Sequence, residues 1–440
     1  MNRKVTNWNN FPQRDANLIK WQGSEQLTEG RNYIARGMGR CYGDAALSDN
    51  IVSMLEQNLF IEFDRQKGIL ECQAGVTLSE ILEVIVPAGW FLPVTPGTKF
   101  ITVGGALASD VHGKNHHVDG CFGDHVTSFQ LQTPQGDLIT CTEELTPELF
   151  HATRGGMGLT GIITTVRFNL KKIETSYISK QQIKARDLSE IIALFDQYKS
   201  YTYSMAWIDC LKGGKGFGRS LMMMGEHATP DELNASQKKS VLTTGSGKKI
   251  NMPFNLPGFA LNPLSIKAFN FLYYNKQRSR ELKSVDHYDG FFYPLDAILH
   301  WNRMYGKRGF IQYQFVLPIE ESEKGLRVIL ESIRKKGWGS FLAVLKLFGN
   351  QPSYISFPME GYTLALDFPM KKGLLPFLDE LDKIVHDLGG RIYLSKDARM
   401  KPERFLQGYA NSSPFLEFIS ELNPEGKFGS DLSKRLSITS

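Results

Sequence analysis

The chain has 440 residues, 42% of them hydrophobic and 22% charged. That composition excludes a disordered or collagen-like polymer and leaves material for a large core. Lys plus Arg number 51 against 46 Asp plus Glu, a formal charge of +5 with no long basic block, so a dedicated nucleic-acid binder is excluded too.

Asn32 to Ala35 reads as a strand leading into Arg36-Gly37-Met38-Gly39-Arg40. Strand character recurs at 60–63 and 69–74. Thr77 and Glu80, three apart, form a capping box that opens a helix ending at Pro87-Ala88-Gly89. Pro134-Gln135-Gly136 separates two alternating runs and predicts a hairpin over 129–141. A helical turn at 148–152 precedes a second glycine run, 155–161, and a strand over 162–170. From about 174 the texture changes: a helix over 188–198 and a strand over 204–210, then weak periodicity over 211–285, which predicts long loops. Beyond it the spacing predicts strands at 311–316, 341–348, 362–368 and 391–395, with helices over 322–335 and 373–388. Strands and amphipathic helices so arranged predict an α+β chain whose antiparallel sheet carries helices on one face.

Five cysteines, at 41, 72, 121, 141 and 210, include no Cys-x-x-Cys, which argues against a disulfide framework or a zinc or iron–sulfur site. Five of nine histidines fall between 112 and 151, but the Gly and Lys beside His112 would bring positive charge towards an ion, so no metal is expected. The N-terminus shows no apolar signal segment, and no apolar run is long enough to span a bilayer. A cytoplasmic chain, or one held peripherally at the inner membrane, is the expectation.

Residues 36–40 are neither a dinucleotide fingerprint nor a Walker loop. Gly37 and Gly39 allow successive N–H groups to point one way, an anion nest with Arg36 and Arg40 beside it. Pro96-Gly97-Thr98 and Thr102-Val103-Gly104-Gly105 form a second such element. Two nests on separate loops suit a diphosphate; ordinary turns are the plain alternative.

Further stretches are Gly39-Arg40-Cys41-Tyr42-Gly43-Asp44, Asp110-Val111-His112-Gly113-Lys114-Asn115-His116-His117, Ala206-Trp207, Pro294-Leu295-Asp296, Trp301-Asn302-Arg303, Gln312-Tyr313-Gln314-Phe315, Lys346-Leu347-Phe348-Gly349 and Lys396-Asp397. With the two glycine loops they make the chain resemble flavoenzymes of the vanillyl-alcohol-oxidase type. Within these it resembles the decaprenylphosphoryl-β-D-ribose 2′-oxidase family, over nearly its full length.

The resemblance implies a PCMH-type FAD-binding domain over 1–173, a substrate domain over 174–390, and a segment, 391–440, returning to the first. It implies FAD held by Arg36, Gly37, Met38, Gly39, Arg40, Cys41, Tyr42, Pro96, Gly97, Thr98, Thr102, Val103, Gly104, Gly105, His112, Gly113, Asn115, Gly158, Gly161, Ile162 and Tyr393. Covalent members of the superfamily carry a flavin-linking His near position 41. Arg40-Cys41-Tyr42-Gly43 has none, which implies non-covalent FAD. Tyr42, Lys114, Trp207, Phe292, Gln312, Gln314, Lys346, Thr363, Ala365 and Lys396 match substrate positions. Thr363 and Ala365 stand where the family has Asn and Cys, and Phe292-Tyr293 replaces a Tyr-His pair, departures that loosen the sugar assignment.

The implied reaction is oxidation of the 2′-hydroxyl of a polyprenylphosphoryl ribose. A separate NAD(P)H-dependent ketoreductase would complete an epimerisation in cell-wall or surface-glycan precursor synthesis. Lys396 is the first candidate for the reacting centre, with His112 and Lys114 next. Asp397 beside Lys396 favours a charged lysine and hence an electrostatic role. Lys346, a cation in an apolar strand, calls for an anion such as the substrate phosphate, or else guards a sheet edge. Trp207 fits a pocket or plain core, and Gln312 and Gln314, two apart, share one sheet face. Two other readings remain: an aldonolactone or small-sugar alcohol oxidase, and a non-catalytic flavin- or phosphate-binding module. The Phe- and Leu-rich region 250–285, expected to be a mobile loop, favours a lipid-linked substrate and contact with a membrane surface.

Overall fold

The computed structural model describes residues 2–23, 27–245, 247 and 249–439. Strands β1 (Asn2–Thr6), β2 (Gln13–Lys20), β3 (Tyr33–Arg36) and β4 (Asn50–Ser53) form a small sheet in the order β1-β2-β4-β3. Its β2–β4 and β3–β4 pairs are parallel.

Next come β5 (Phe60–Asp64), β6 (Ile69–Gln73), α1 (Leu78–Ile85), β7 (Trp90–Phe91), α2 (Val103–Ala108), α3 (His116–Asp119), β8 (Val126–Gln132), β9 (Leu138–Cys141), α4 (Pro147–Thr153), β10 (Ile162–Asn169) and β11 (Lys171–Lys172). Five of these strands form an antiparallel sheet, β5-β6-β10-β8-β9. The Thr77–Glu80 capping box closes both ways, and Leu78, Ile81, Leu82 and Ile85 bury one face of α1.

The second half contains β12 (Tyr177–Ala185), α5 (Leu188–Gln197), β13 (Tyr203–Ile208), β14 (Ser220–His227), β15 (Ile250–Asn251), α6 (Pro263–Lys276), β16 (Glu281–His287), α7 (Tyr288–Phe292), β17 (Ile298–Leu299), β18 (Phe310–Pro318), α8 (Ile319–Lys336), β19 (Ala343–Phe348), β20 (Gly361–Pro369), α9 (Leu374–Asp387) and β21 (Arg391–Ile392). Eight strands make one antiparallel sheet, β16-β12-β14-β13-β19-β20-β18-β21. Period-two alternation sorts its side chains. Ala206, Ile208, Met222, Met224, Leu345, Leu364, Leu366 and Phe315 share one core with the buried faces of α5, α8 and α9. Met205, Trp207, Met223, Val344, Lys346, Ala365, Gln312 and Gln314, of opposite parity, line a cavity.

The chain then returns through α10 (Pro402–Gly408), α11 (Ser412–Leu422) and α12 (Asp431–Arg435). Tyr33 exchanges backbone hydrogen bonds with this segment, its N–H donating to Lys427 O and its carbonyl accepting from Gly429 N, each 2.8 Å. The Arg435 guanidinium pairs with Asp44 and Asp397, each at 2.8 Å.

Region 211–285 departs from the loops expected of it. It contains β14, the 14-residue helix α6 and the edge strand β16. β14 is three methionines long at its centre and lacks β-branched residues. In α6 only Ile266 and Asn270 are buried while Leu264, Phe271 and Leu272 face out, so no single apolar stripe exists to read. The expected strand over 391–395 stops at Ile392 and gives way to a 3-10 turn, Leu394–Lys396.

Candidate active site

A cavity of about 620 Å³ lies between the glycine loops of the first half and the open face of the eight-stranded sheet. The loops are pressed together at its wall. A Cβ on Gly37 would stand 2.2 Å from Thr102 Oγ1, so glycine there is required by close approach. A Cβ on Gly43 would fall 1.7 Å from Asp397 O, where the loop meets the returning segment. Thr102 Oγ1 accepts from Gly105 N at 3.3 Å. Asp296 reaches across to the second loop, accepting from Thr98 Oγ1 at 2.8 Å and Lys99 N at 2.9 Å.

Arg36 does not stand free beside a nest. Its guanidinium donates to Thr6 O at 2.8 Å, Ala46 O at 3.1 Å and Asn7 Oδ1, stapling the loop to the N-terminal strand. Arg40 lies 3.7 Å over the Trp8 ring and faces the cavity. Met38, Cys41, Tyr42, Pro96, Gly97, Gly104, Gly105, Gly113, Gly158, Gly161 and Tyr393 line the same space. Four expected residues do not. Val103 and Ile162 are buried in apolar clusters. Asn115 spends its amide on Pro93 O and Asp119. Thr363 sits behind Gln314.

That last contact fixes the state of His112. Thr363 Oγ1 donates to Phe315 O at 2.8 Å, so it accepts from Gln314 Nε2 at 3.3 Å. The same amide nitrogen points at His112 Nε2, 3.2 Å away, which must then be an acceptor. The His112 proton therefore resides on Nδ1, which is buried without a hydrogen-bond partner. Burial, then Lys346, holds His112 well below the usual imidazole range, so the ring is neutral.

Three lysines face the cavity. Lys114 donates to Phe292 O at 3.1 Å, and burial pushes it down to about 7. Burial brings Lys346 to about 8, and among the described residues it has no ion-pair partner. Lys396 Nζ lies 3.8 Å over the Tyr42 ring; burial lowers it to about 7, opposed by Asp367 and Cys41. Asp397 is not its counter-ion: that carboxylate is taken by Arg435 and by the Met400 N–H. The preference for an electrostatic role drawn from Asp397 loses its basis, because a lysine lowered to about 7 can also be a base near neutral pH.

Asp367, missed in the sequence, is raised to about 7 by burial and accepts from Gln312 Nε2 at 2.7 Å and Tyr305 Oη at 3.1 Å. An acid inside an otherwise apolar strand was the available signal. Trp8, Met157, Met205 and Met223 also line the cavity and carried none. The histidine cluster disperses: His116 Nδ1 accepts from Gly349 N, and His117 Nε2 contacts Tyr201 O. Among the described residues no group of His, Cys, Asp or Glu is placed to hold a metal ion.

Residues 27–142 match a family model described as an FAD binding domain. The decaprenylphosphoryl-β-D-ribose oxidase of Mycolicibacterium smegmatis is 37% identical over 419 residues, covering 93% of this chain and 90% of that protein. An uncharacterised protein of Streptomyces coelicolor is 32% identical over 372 residues, 82% of this chain and all of that one. A putative D-arabinono-1,4-lactone oxidase of Neurospora crassa is 27% identical over 139 residues, 31% of this chain and 25% of its own length.

Proposed function

We propose that this chain, which belongs to the decaprenylphosphoryl-β-D-ribose oxidase family, oxidises the 2′-hydroxyl of a polyprenylphosphoryl-β-D-ribose to the 2′-ketone with FAD. The observation that carries the reading is three lysines facing one cavity without a protein carboxylate in ion-pair contact, Lys114 buried and Lys346 and Lys396 half-buried, between glycine loops and an amide-bearing sheet face. Buried cations are costly alone, so the cavity favours anionic occupants. A diphosphate, a sugar phosphate and a flavin ring that gains negative charge meet that demand.

The residues suit the cofactor. Gly37, Gly39, Gly97, Gly104 and Gly105 would give backbone access to the diphosphate, and the unpartnered His112 Nδ1–H would be available as a donor to the bound group. Bound FAD supplies a two-electron acceptor: C2′–H leaves as hydride, the hydroxyl proton leaves to a base, and a ketone forms. Lys396, neutral above about pH 7, takes that proton, and Asp367 beside it stabilises the resulting ammonium. Gln312 and Gln314 orient the sugar hydroxyls; Lys346 and Lys114 hold the phosphate. The neutral His112 adds no positive charge that would further weaken Lys396 as the proton acceptor.

The ketone formed would be reduced by a separate NAD(P)H-dependent ketoreductase. No described helix is long and apolar enough to cross a membrane. A prenyl tail stays in the bilayer, so the enzyme would meet its substrate at a membrane surface through α6, with Lys267, Lys276, Arg278 and Arg280 near anionic headgroups. The lactone-oxidase reading is weaker, since that likeness covers only 31% of the chain.

Anaerobic mixing of the purified yellow protein with farnesylphosphoryl-β-D-ribose tests the reading. Bleaching of the flavin band with formation of the 2′-ketone is expected; no bleaching by any polyprenylphosphoryl pentose would overturn it.

A further inference from the structure

The open face of the sheet changes polarity along its strand order. On β18 and β20 it presents Gln312, Gln314 and Asp367; Gln312 pairs with Asp367 and Gln314 with Ala365. One strand further, Val344 of β19 stands opposite Ala365, and Lys346 lies two residues on, on the same face. Further still, Trp207 of β13 stands opposite Val344, and Met205 pairs with Met223 of β14. The order is amides and acid, then a half-buried cation, then thioethers and an indole.

The apolar end is roofed. Tyr273 of α6 packs on Trp207 with ring centres 4.9 Å apart and stacks on Phe269 at 5.7 Å. Phe269 meets Phe341 at 5.5 Å, and the Trp207 indole is held by its N–H on Phe341 O at 2.9 Å. Roof and floor line the same cavity as the flavin loops. The floor methionines are only half-buried, because they face this space and not the helices behind. Unbranched thioethers adapt to an irregular aliphatic ligand without asking it for hydrogen bonds.

We infer that the space between Met205, Met223, Trp207 and α6 is the seat of the first isoprene units of the substrate's tail, with Lys346 marking the phosphate that joins them to the sugar. The inference rests on the proposed function and deepens it. A sugar–phosphate–polyprenyl molecule changes from polar to anionic to apolar in the order of the sheet face. Beyond the seat, α6 exposes Leu264 (79%), Phe271 (57%) and Leu272 (67%), so the tail leaves the cavity onto an apolar outer surface. The tail seat thus sits on the opposite side of Lys346 from Gln312, and no apolar group need pass the reacting end.

The test compares kcat/KM for farnesylphosphoryl-β-D-ribose with that for methylphosphoryl-β-D-ribose, which has no isoprene. The parent should prefer the farnesyl compound by tenfold or more, the scale set by filling an apolar pocket (about 10- to 200-fold for one group). Met205→Asn with Met223→Asn should abolish the preference, acting on KM for the farnesyl compound. Tyr273→Ser, which opens the roof from the helix side, should do the same, and flavin content reports folding in both. An unchanged preference in the variants that bind flavin, or no preference in the parent, overturns the seat while leaving the oxidation intact. Oxidation of neither compound by the parent overturns the proposed function, and the seat with it.

Discussion

Lys396 Nζ lies 3.8 Å over the ring of Tyr42, whose backbone N–H donates to Ser395 O at 2.9 Å. The lysine and the aromatic that supports it are therefore tied together where the flavin loop meets the returning segment, a junction that Asp44 N–H on Asp397 O at 3.4 Å reinforces. A cation held on an aromatic face keeps its position without a carboxylate partner. Lys396→Ala should leave FAD bound and slow anaerobic flavin reduction by about 100-fold or more, the scale of a well-placed acid–base group. Near-parental reduction in that variant would remove Lys396 from the mechanism.

The pH dependence follows from the same residue. Lys396 accepts a proton only when neutral, and burial lowers it to about 7. Flavin reduction by substrate should therefore rise as pH passes through about 7 and then level off. In Lys396→Ala that limb should vanish. A parental rate that stays level from about pH 6 to about pH 9 would rule out a lysine base.

Lys346 makes a prediction about stability. Its folded value, about 8, lies below the ordinary 10.5. The unfolded chain then binds more protons between those values, so the lysine's cost falls as pH rises through that window and is fully present below it. Lys346→Met should raise the melting temperature of flavin-free protein at pH 7 by about 2–4 °C, while KM for the phosphorylated sugar climbs. A lower melting temperature would mean that the lysine is compensated within the protein.

The flavin loop contains Cys41 and no histidine between Arg36 and Asp44. Acid precipitation should release the yellow chromophore into the supernatant. Colour retained in the pellet, with a flavin peptide that includes Cys41, would show a covalent link.

The outer face of α6 is tested by sedimentation with anionic liposomes. Leu264, Phe271 and Leu272 are exposed, whereas Phe269 packs on Tyr273 and lines the cavity. Changing the first three to Ser should reduce bound protein several-fold without loss of flavin. Equal sedimentation by parent and variant would move the membrane contact elsewhere.

What could be read from the sequence was what local rules govern. The Thr77–Glu80 box, the hairpin around Gly136, and the helices behind the large sheet follow caps, turns and a 3.6 period. The pairing of Gln312 and Gln314 on one face follows from their spacing. Three kinds of feature escaped. β14 and α6 lack the branched residues or the single apolar stripe that periodicity needs. The partners of Arg36 and Asp397 come from segments far off in sequence, Thr6 and Arg435. Asp367 stood out only as an acid in an apolar strand, and its partners, Tyr305 from a 3-10 turn and Gln312 from the neighbouring strand, come from elsewhere in the chain.

The clasp between Arg435 and the two carboxylates Asp44 and Asp397 bears on how the molecule is made. Residues 36–44 emerge from the ribosome early, yet the groups that shape them, Ser395 O, Asp397 O and the Arg435 guanidinium, belong to the final part of the chain. Tyr33 likewise waits for Lys427 and Gly429. A nascent chain therefore cannot close this loop before residues 395–435 have been made. Loss of Arg435 should therefore be felt first as a colourless protein, although it lies far in sequence from the loop at 36–44 that it shapes.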